Sequence, residues 1–288
     1  MTRTIRRALT GVAAVVVAGA LSATAIAASS ATDRDDDKDL KVIGLTSDQR
    51  LVRFDSDSPR RTREIGEISG LSGDTSLVGI DYRVQDGKLY GVGNAGGIYT
   101  LSPWDASATM VSQLTLPLSG TFFGVDFNPA ADRLRVVSDT GQNLRHDVNP
   151  GGVTVADTTL TFPPATTPAA GIAAAAYTNN DLDARTATTL FDIDAMMDRV
   201  AVQSPANSGQ LVPTGSLGVD AGPNVGTDIS STIRSGVTVD NQGLATVQVN
   251  GRYRLVEIDP LTGTARDQGA FPSWSQVTDL AIPLNQHR

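Results

Sequence analysis

The chain contains no cysteine in 288 residues. Disulfides, thiolate nucleophiles and lipid-modified cysteine are therefore excluded. Histidine is nearly as scarce, with only His146 and His287. Copper–zinc chemistry, which needs several imidazoles in one place, cannot be assembled from them. A Ser-His-Asp triad would have to recruit His146, and no Gly-x-Ser-x-Gly elbow exists to partner it; His146 is expected on a strand surface. Aromatic residues make up 5% of the chain, which argues against stacking-based sugar recognition. Beyond the N-terminus, apolar runs are only four to six residues long. That pattern leaves little room for a long amphipathic or membrane-spanning helix.

The N-terminus has a different character. Arg3, Arg6 and Arg7 precede an Ala/Val/Gly-rich run from Ala8, and Ala25-Ile26-Ala27 supplies a small-x-small cleavage pattern. Residues 1–28 are read as a signal peptide, cleaved to leave no stable membrane anchor, and the protein as secreted or held in the cell envelope. Cleavage removes three arginines and no acid, taking the formal charge from −8 to −11. An acidic exported protein is a poor match for nucleic acid and suits cations or cationic partners. Residues 29–40 form an acidic linker. Asp33, Asp35 and Asp37 alternate as in a calcium loop, but Lys38 and Gly44 stand where Gly and a bidentate Glu are required.

From Lys41 onward the sequence repeats. Gly79, Asp81 and Leu89 recur 45 positions later as Gly124, Asp126 and Leu134. A period near 45 built from short β-type runs points to a radial array of four-stranded units. The first full unit opens at Leu77–Tyr82, the second at Phe123–Phe127 and the third at Ile172–Tyr177. A less regular fourth opens near Thr227–Ile229 or Val237–Asp240. The termini complement one another: 277–282 resembles an opening strand with nothing after it, and 42–68 resembles three strands lacking an opener. The fold class expected is all-β, a five-bladed β-propeller over residues 41–288 closed by pairing of the N- and C-terminal strands. Closure removes free sheet edges without a disulfide. A sixth blade would need residues 218–240 to hold more than a connection.

Several segments are specific enough to name a resemblance. The run Phe123-Gly-Val-Asp-Phe-Asn-Pro-Ala-Ala-Asp-Arg-Leu-Arg-Val-Val-Ser-Asp-Thr-Gly-Gln-Asn-Leu-Arg145 is one. Ala176-Tyr-Thr-Asn-Asn180, Thr188-Thr-Leu-Phe-Asp-Ile-Asp194 and Gly215-Ser-Leu-Gly-Val-Asp220 are others. Together they resemble a bacterial secreted family known as domain of unknown function 4394, over about residues 41–275. The resemblance implies a propeller-like fold and an exported location. It implies no reaction and transfers no catalytic residue.

Carboxylates are the main chemical resource. Asp81 and Asp126 occupy equivalent places in their opening strands, Asp279 fits the same slot in the closing strand, and Asp228 or Asp240 adds another. The third unit carries Ala176 there. Opening strands lie nearest a propeller's axis, so Asp81, Asp126 and Asp279 are the candidate ligands for Ca²⁺ or another hard cation. Equally, such acids can accept hydrogen bonds from neighbouring amides and serve as repeated structural staples. A second candidate group is Arg135, Asn143 and Arg145, with Tyr177 and Asn179 from the following unit. The arginines would clamp an anionic ligand or instead pair with nearby aspartates. The reading that results is a secreted, monomeric, non-enzymatic propeller that binds a small ligand or protein partner. The alternative is a propeller hydrolase or lyase using channel carboxylates, calcium-dependent and lactonase-like or glycan-cleaving.

Overall fold

A computed structural model describes residues 39–183 and 185–286. The expected signal peptide, nearly all of the expected linker and His287 lie outside them. Twenty strands follow in order. The first three are β1 (Lys41–Thr46), β2 (Arg50–Asp55) and β3 (Arg63–Glu67). Next come β4 (Leu77–Tyr82), β5 (Leu89–Gly93), β6 (Gly97–Leu101) and β7 (Ala108–Gln113). Then β8 (Phe123–Asn128), β9 (Arg133–Ser138), β10 (Asn143–His146) and β11 (Thr154–Ala156) follow. After these are β12 (Ile172–Tyr177), β13 (Leu190–Asp194), β14 (Arg199–Gln203) and β15 (Leu211–Ser216). The last are β16 (Gly226–Arg234), β17 (Val237–Val249), β18 (Arg252–Ile258), β19 (Ala265–Ala270) and β20 (Val277–Ala281). Among the described residues the only helices are two single 3₁₀ turns, and no helix is long and apolar enough to cross a membrane.

The strands make five four-stranded antiparallel sheets, β20-β1-β2-β3, β4–β7, β8–β11, β12–β15 and β16–β19. We number these blades one to five. The protein is a five-bladed β-propeller. Blade one joins the two ends of the chain: Ile43, Gly44 and Leu45 pair with Ala281, Leu280 and Asp279. The ring thus closes by backbone hydrogen bonds between its first and last strands.

Blade five settles the irregular unit. Its opener is β16, and Val237–Asp240 belongs to the second strand, paired with Thr232, Ile233 and Arg234. Of the two expected openers, Thr227–Ile229 lies in β16 and Val237–Asp240 does not open the blade, and residues 226–240 form a lengthened hairpin instead of part of a sixth blade. Alternation of apolar and polar residues runs on through this hairpin, so strand periodicity alone does not choose between the two.

Turn chemistry repeats with the strands. Asn128 Oδ1 accepts the amides of Ala130 and Ala131 at 3.0 and 2.9 Å, and Asp194 Oδ1 accepts those of Met196 and Met197 at 3.1 Å each. Both turns end in a left-handed aspartate, Asp132 (φ 50°) and Asp198 (φ 50°), a conformation short polar side chains tolerate. Burial lies between blades rather than at one centre. Five apolar clusters fill the five interfaces, for example Tyr90, Val92 and Ile98 against Phe127, Leu134 and Val136.

Candidate functional site

Each blade presents its opening strand to the propeller axis, and the repeat places one residue of each strand in the same slot. Four slots hold aspartate: Asp81 on β4, Asp126 on β8, Asp228 on β16 and Asp279 on β20. The fifth, on β12, holds Ala176. Three of these acids sit in a Gly-x-Asp triplet, and the glycine explains how the blades come close enough. A Cβ at Gly124 would lie 2.5 Å from the amide nitrogen of Ala175, and one at Gly226 would lie 2.4 Å from Asp279 Cα. Any larger residue would push adjacent blades apart.

The carboxylates reach round the ring. Asp279 Oδ2 accepts the Ile80 amide at 2.8 Å and Asp81 Oδ2 accepts that of Phe127 at 2.7 Å. Asp126 Oδ1 accepts the Tyr177 amide at 3.1 Å, and Asp228 Oδ2 accepts that of Ile282 at 2.6 Å. Every acid therefore ties its blade to the next. The missing link is from blade four to blade five, where Ala176 has no acceptor and the Ile229 amide bonds to Oδ1 of its own neighbour Asp228 at 2.6 Å.

Hydrogen bonds do not exhaust these groups. Asp81, Asp126 and Asp228 each offer an oxygen within 4.8 Å of the others, and all three are no more than 3% exposed. Asp279, the third acid expected in a cation site, lies outside this trio, whose third member is Asp228. Burial, then the charge of Asp228, holds the Asp81 carboxyl well above the ordinary carboxylate range. Burial, then Asp81, does the same to Asp126. Burial also raises Asp279 and brings Asp228 to about 7. One oxygen of the cluster, Asp126 Oδ2, is buried without any hydrogen-bond partner.

The second candidate group lies between blades three and four. Arg135, 2% exposed, donates to Asp157 Oδ2, Asn143 Oδ1 and Asn207 Oδ1 at 2.7 Å each, and to the Tyr177 hydroxyl at 3.3 Å. Arg145 donates to the other oxygen of Asp157 at 2.8 Å. The arginines thus share one carboxylate in an inter-blade network, and Asp157 is the partner sequence reading passed over. Asn179 stands apart from this network. Its amide donates to Ser231 Oγ at 2.8 Å, and its side chain accepts from Thr238 Oγ1 at 2.5 Å. These bonds pin the blade-five hairpin to the loop after β12.

Two more buried polar groups were hidden from sequence reading. His146, expected at a surface, is fully buried, with Ser112 Oγ 2.8 Å from Nε2 and Thr154 Oγ1 3.0 Å from Nδ1. Burial lowers its pKa. A short strand between two others, β10, turns what reads as an exposed hairpin position into an interface. Asp192 is buried with both oxygens unpartnered. It pairs in register with Ala175 and Ala201, and its pKa is raised by burial, with Arg135 opposing.

The first strand of the lengthened hairpin also lines a cavity. This cavity, of about 360 Å³, is bounded by Asn180–Asp183, part of β16 and the segment after β20. Its lining includes Ile229 and Ile282, the two residues whose amides hold the Asp228 carboxylate. The cavity therefore adjoins the strands that hold Asp228, although none of the four axial aspartates lines it.

The chain belongs to a family described as Domain of unknown function (DUF4394), which it matches over residues 50–281. The class is thus a β-propeller of a family without an assigned activity. No curated protein matches it. Among solved structures it is similar to a chain in a nidogen/laminin complex, at 12% identity and a TM-score of 0.45, covering 85% of this chain and 86% of that one. It is also similar to a structural-genomics protein of unknown function from Bacteroides thetaiotaomicron, at 13% and 0.46, covering 86% and 68%. A protein from Lactobacillus plantarum aligns at 11% and 0.39, covering 85% and 99%.

Proposed function

We propose that this protein is an exported, monomeric, non-enzymatic propeller that binds a small polar ligand at the channel mouth formed by blades four, five and one. The observation that carries this reading is the cavity of about 360 Å³ at that mouth, a size suited to small-molecule sites. The β16–β17 hairpin that bounds it runs past the end of its sheet, and a repeat needs no such extension to pack. Asn180, Asp181, Ser231 and Gln286 supply hydrogen-bonding groups at the lining, and Leu182 stands exposed beside them.

The hydrolase alternative has less support. A general acid or base must come within about 2.6–3.2 Å of a reacting atom, and the gathered carboxylates are buried and bonded to backbone amides. The acidic balance and the N-terminal residue pattern support export and argue against nucleic acid as partner.

The test is a thermal-shift screen of sugars, amino acids and polyamines against the wild type and Leu182→Trp, which fills the mouth from an exposed position. Ligands that stabilise the wild type and lose their effect in L182W support the reading. Hits that act equally on both proteins, or a screen without hits, overturn it. N-terminal sequencing of protein recovered from a culture supernatant checks export, with a start near residue 28 expected.

A further inference from the structure

We infer that the channel holds one divalent cation of calcium size between Asp81, Asp126 and Asp228. The inference concerns the buried axis and stands independently of what the mouth binds.

Distance is the first argument. An ion bound at 2.3–2.6 Å places oxygens on its opposite sides about 4.6–5.2 Å apart. The trio's oxygens all lie within 4.8 Å of one another, close enough for one ion to sit among them. Magnesium keeps several waters and holds them tightly, which suits a buried, protein-lined site less well.

Asp126 also carries an orphaned oxygen. Asp126 Oδ1 is occupied by the Tyr177 amide, while Oδ2 is buried and accepts nothing. Leaving such an acceptor unsatisfied is costly, and neighbouring carboxylates donate nothing to it unless they are protonated.

Other buried acids offer a comparison. Asp157 is matched by Arg135 and Arg145 and Asp194 by Arg199, whereas Asp192 is a buried acid without a hydrogen-bond partner. The channel acids instead receive backbone amides. Amides are dipoles and cannot neutralise three charges converging in a medium of low polarity. A divalent ion supplies the missing positive charge.

Competing against this is a cluster neutralised by protons alone, so the test must separate the two. The protein is stripped with EDTA and titrated with Ca²⁺ by calorimetry and thermal unfolding, in parallel with Asp126→Asn and Asp279→Asn. Asparagine at 126 keeps an acceptor for the Tyr177 amide but removes the charge, and Asp81→Asn provides a second variant should the first fold poorly. The expected result is one equivalent of Ca²⁺ bound and an unfolding midpoint raised by about 5–10 °C at a hundredfold excess over Kd. Asp126→Asn should weaken binding at least tenfold, and Asp279→Asn should leave it within about threefold. A wild type that binds no Ca²⁺, or an Asp126→Asn protein that binds as tightly as the wild type, overturns the inference and leaves protons as the neutralising agent.

Discussion

The amide of Tyr177 in blade four donates to Oδ1 of Asp126 in blade three at 3.1 Å, while the Tyr177 hydroxyl receives Arg135 Nε at 3.3 Å. One residue therefore links the acidic axis to the polar network between blades three and four. The two clusters are neighbours through a single side chain and its own backbone, and a change at either is felt at the seam between these blades.

Asp126→Ala removes the acceptor and strands the Tyr177 amide in a buried setting. The expected loss is about 1–3 kcal/mol, read by urea unfolding in EDTA. Asp126→Asn, which keeps an acceptor of similar shape and relieves repulsion from Asp81 and Asp228, should lose much less. Equal losses for both would show that charge, not the hydrogen bond, holds the seam.

Deleting residues 277–288 removes β20 and leaves β1 with an unpaired edge. The truncated chain is expected to aggregate or to lose amide-exchange protection in blades one, two and five together. A monomeric, fully protected product would show that closure contributes little.

His146 gives a pH dependence with a definite sign. Burial lowers its pKa below the ordinary value of 6.5, so the folded state keeps the ring neutral while the unfolded chain takes up a proton first. Its contribution to stability is present above about pH 6.5 and falls away as the pH drops towards the folded value. The wild type should therefore lose stability relative to His146→Gln between about pH 6.5 and 5. A difference that does not vary with pH would mean that the ring is solvated.

Asp192 has the opposite sign. Its pKa is raised by burial, so the folded state holds its proton more firmly than the unfolded chain does. Stability is lost as the pH rises through the folded pKa. Asp192→Asn removes the charge and should stabilise the protein at pH 8 by about 1–3 kcal/mol, with a smaller gain at pH 4. A destabilised variant at pH 8 would indicate that the carboxylate has a partner in solution.

Much of this protein was legible in one dimension. The 45-residue recurrence, the alternation of short apolar runs with turn residues, and the complementary ends determined a closed ring of four-stranded blades, because strand periodicity and turn chemistry are local properties, while the count of five against six was settled by the pairing of β16 with β17. The Gly-x-Asp triplet also pointed to Asp81 and Asp126. It recurs at Gly226-Thr227-Asp228, the signal that separates Asp228 from Asp240. Tertiary structure decided the rest. Which acids converge depends on how the five opening strands approach the axis, and that set the trio at Asp81, Asp126 and Asp228 rather than with Asp279. The pairing of Arg135 and Arg145 with Asp157, the burial of His146 and the cavity under the hairpin likewise join residues from different strands, loops or blades. Linear spacing carries no record of such contacts. They arise only when closure of the ring fixes each blade's rotation against the next.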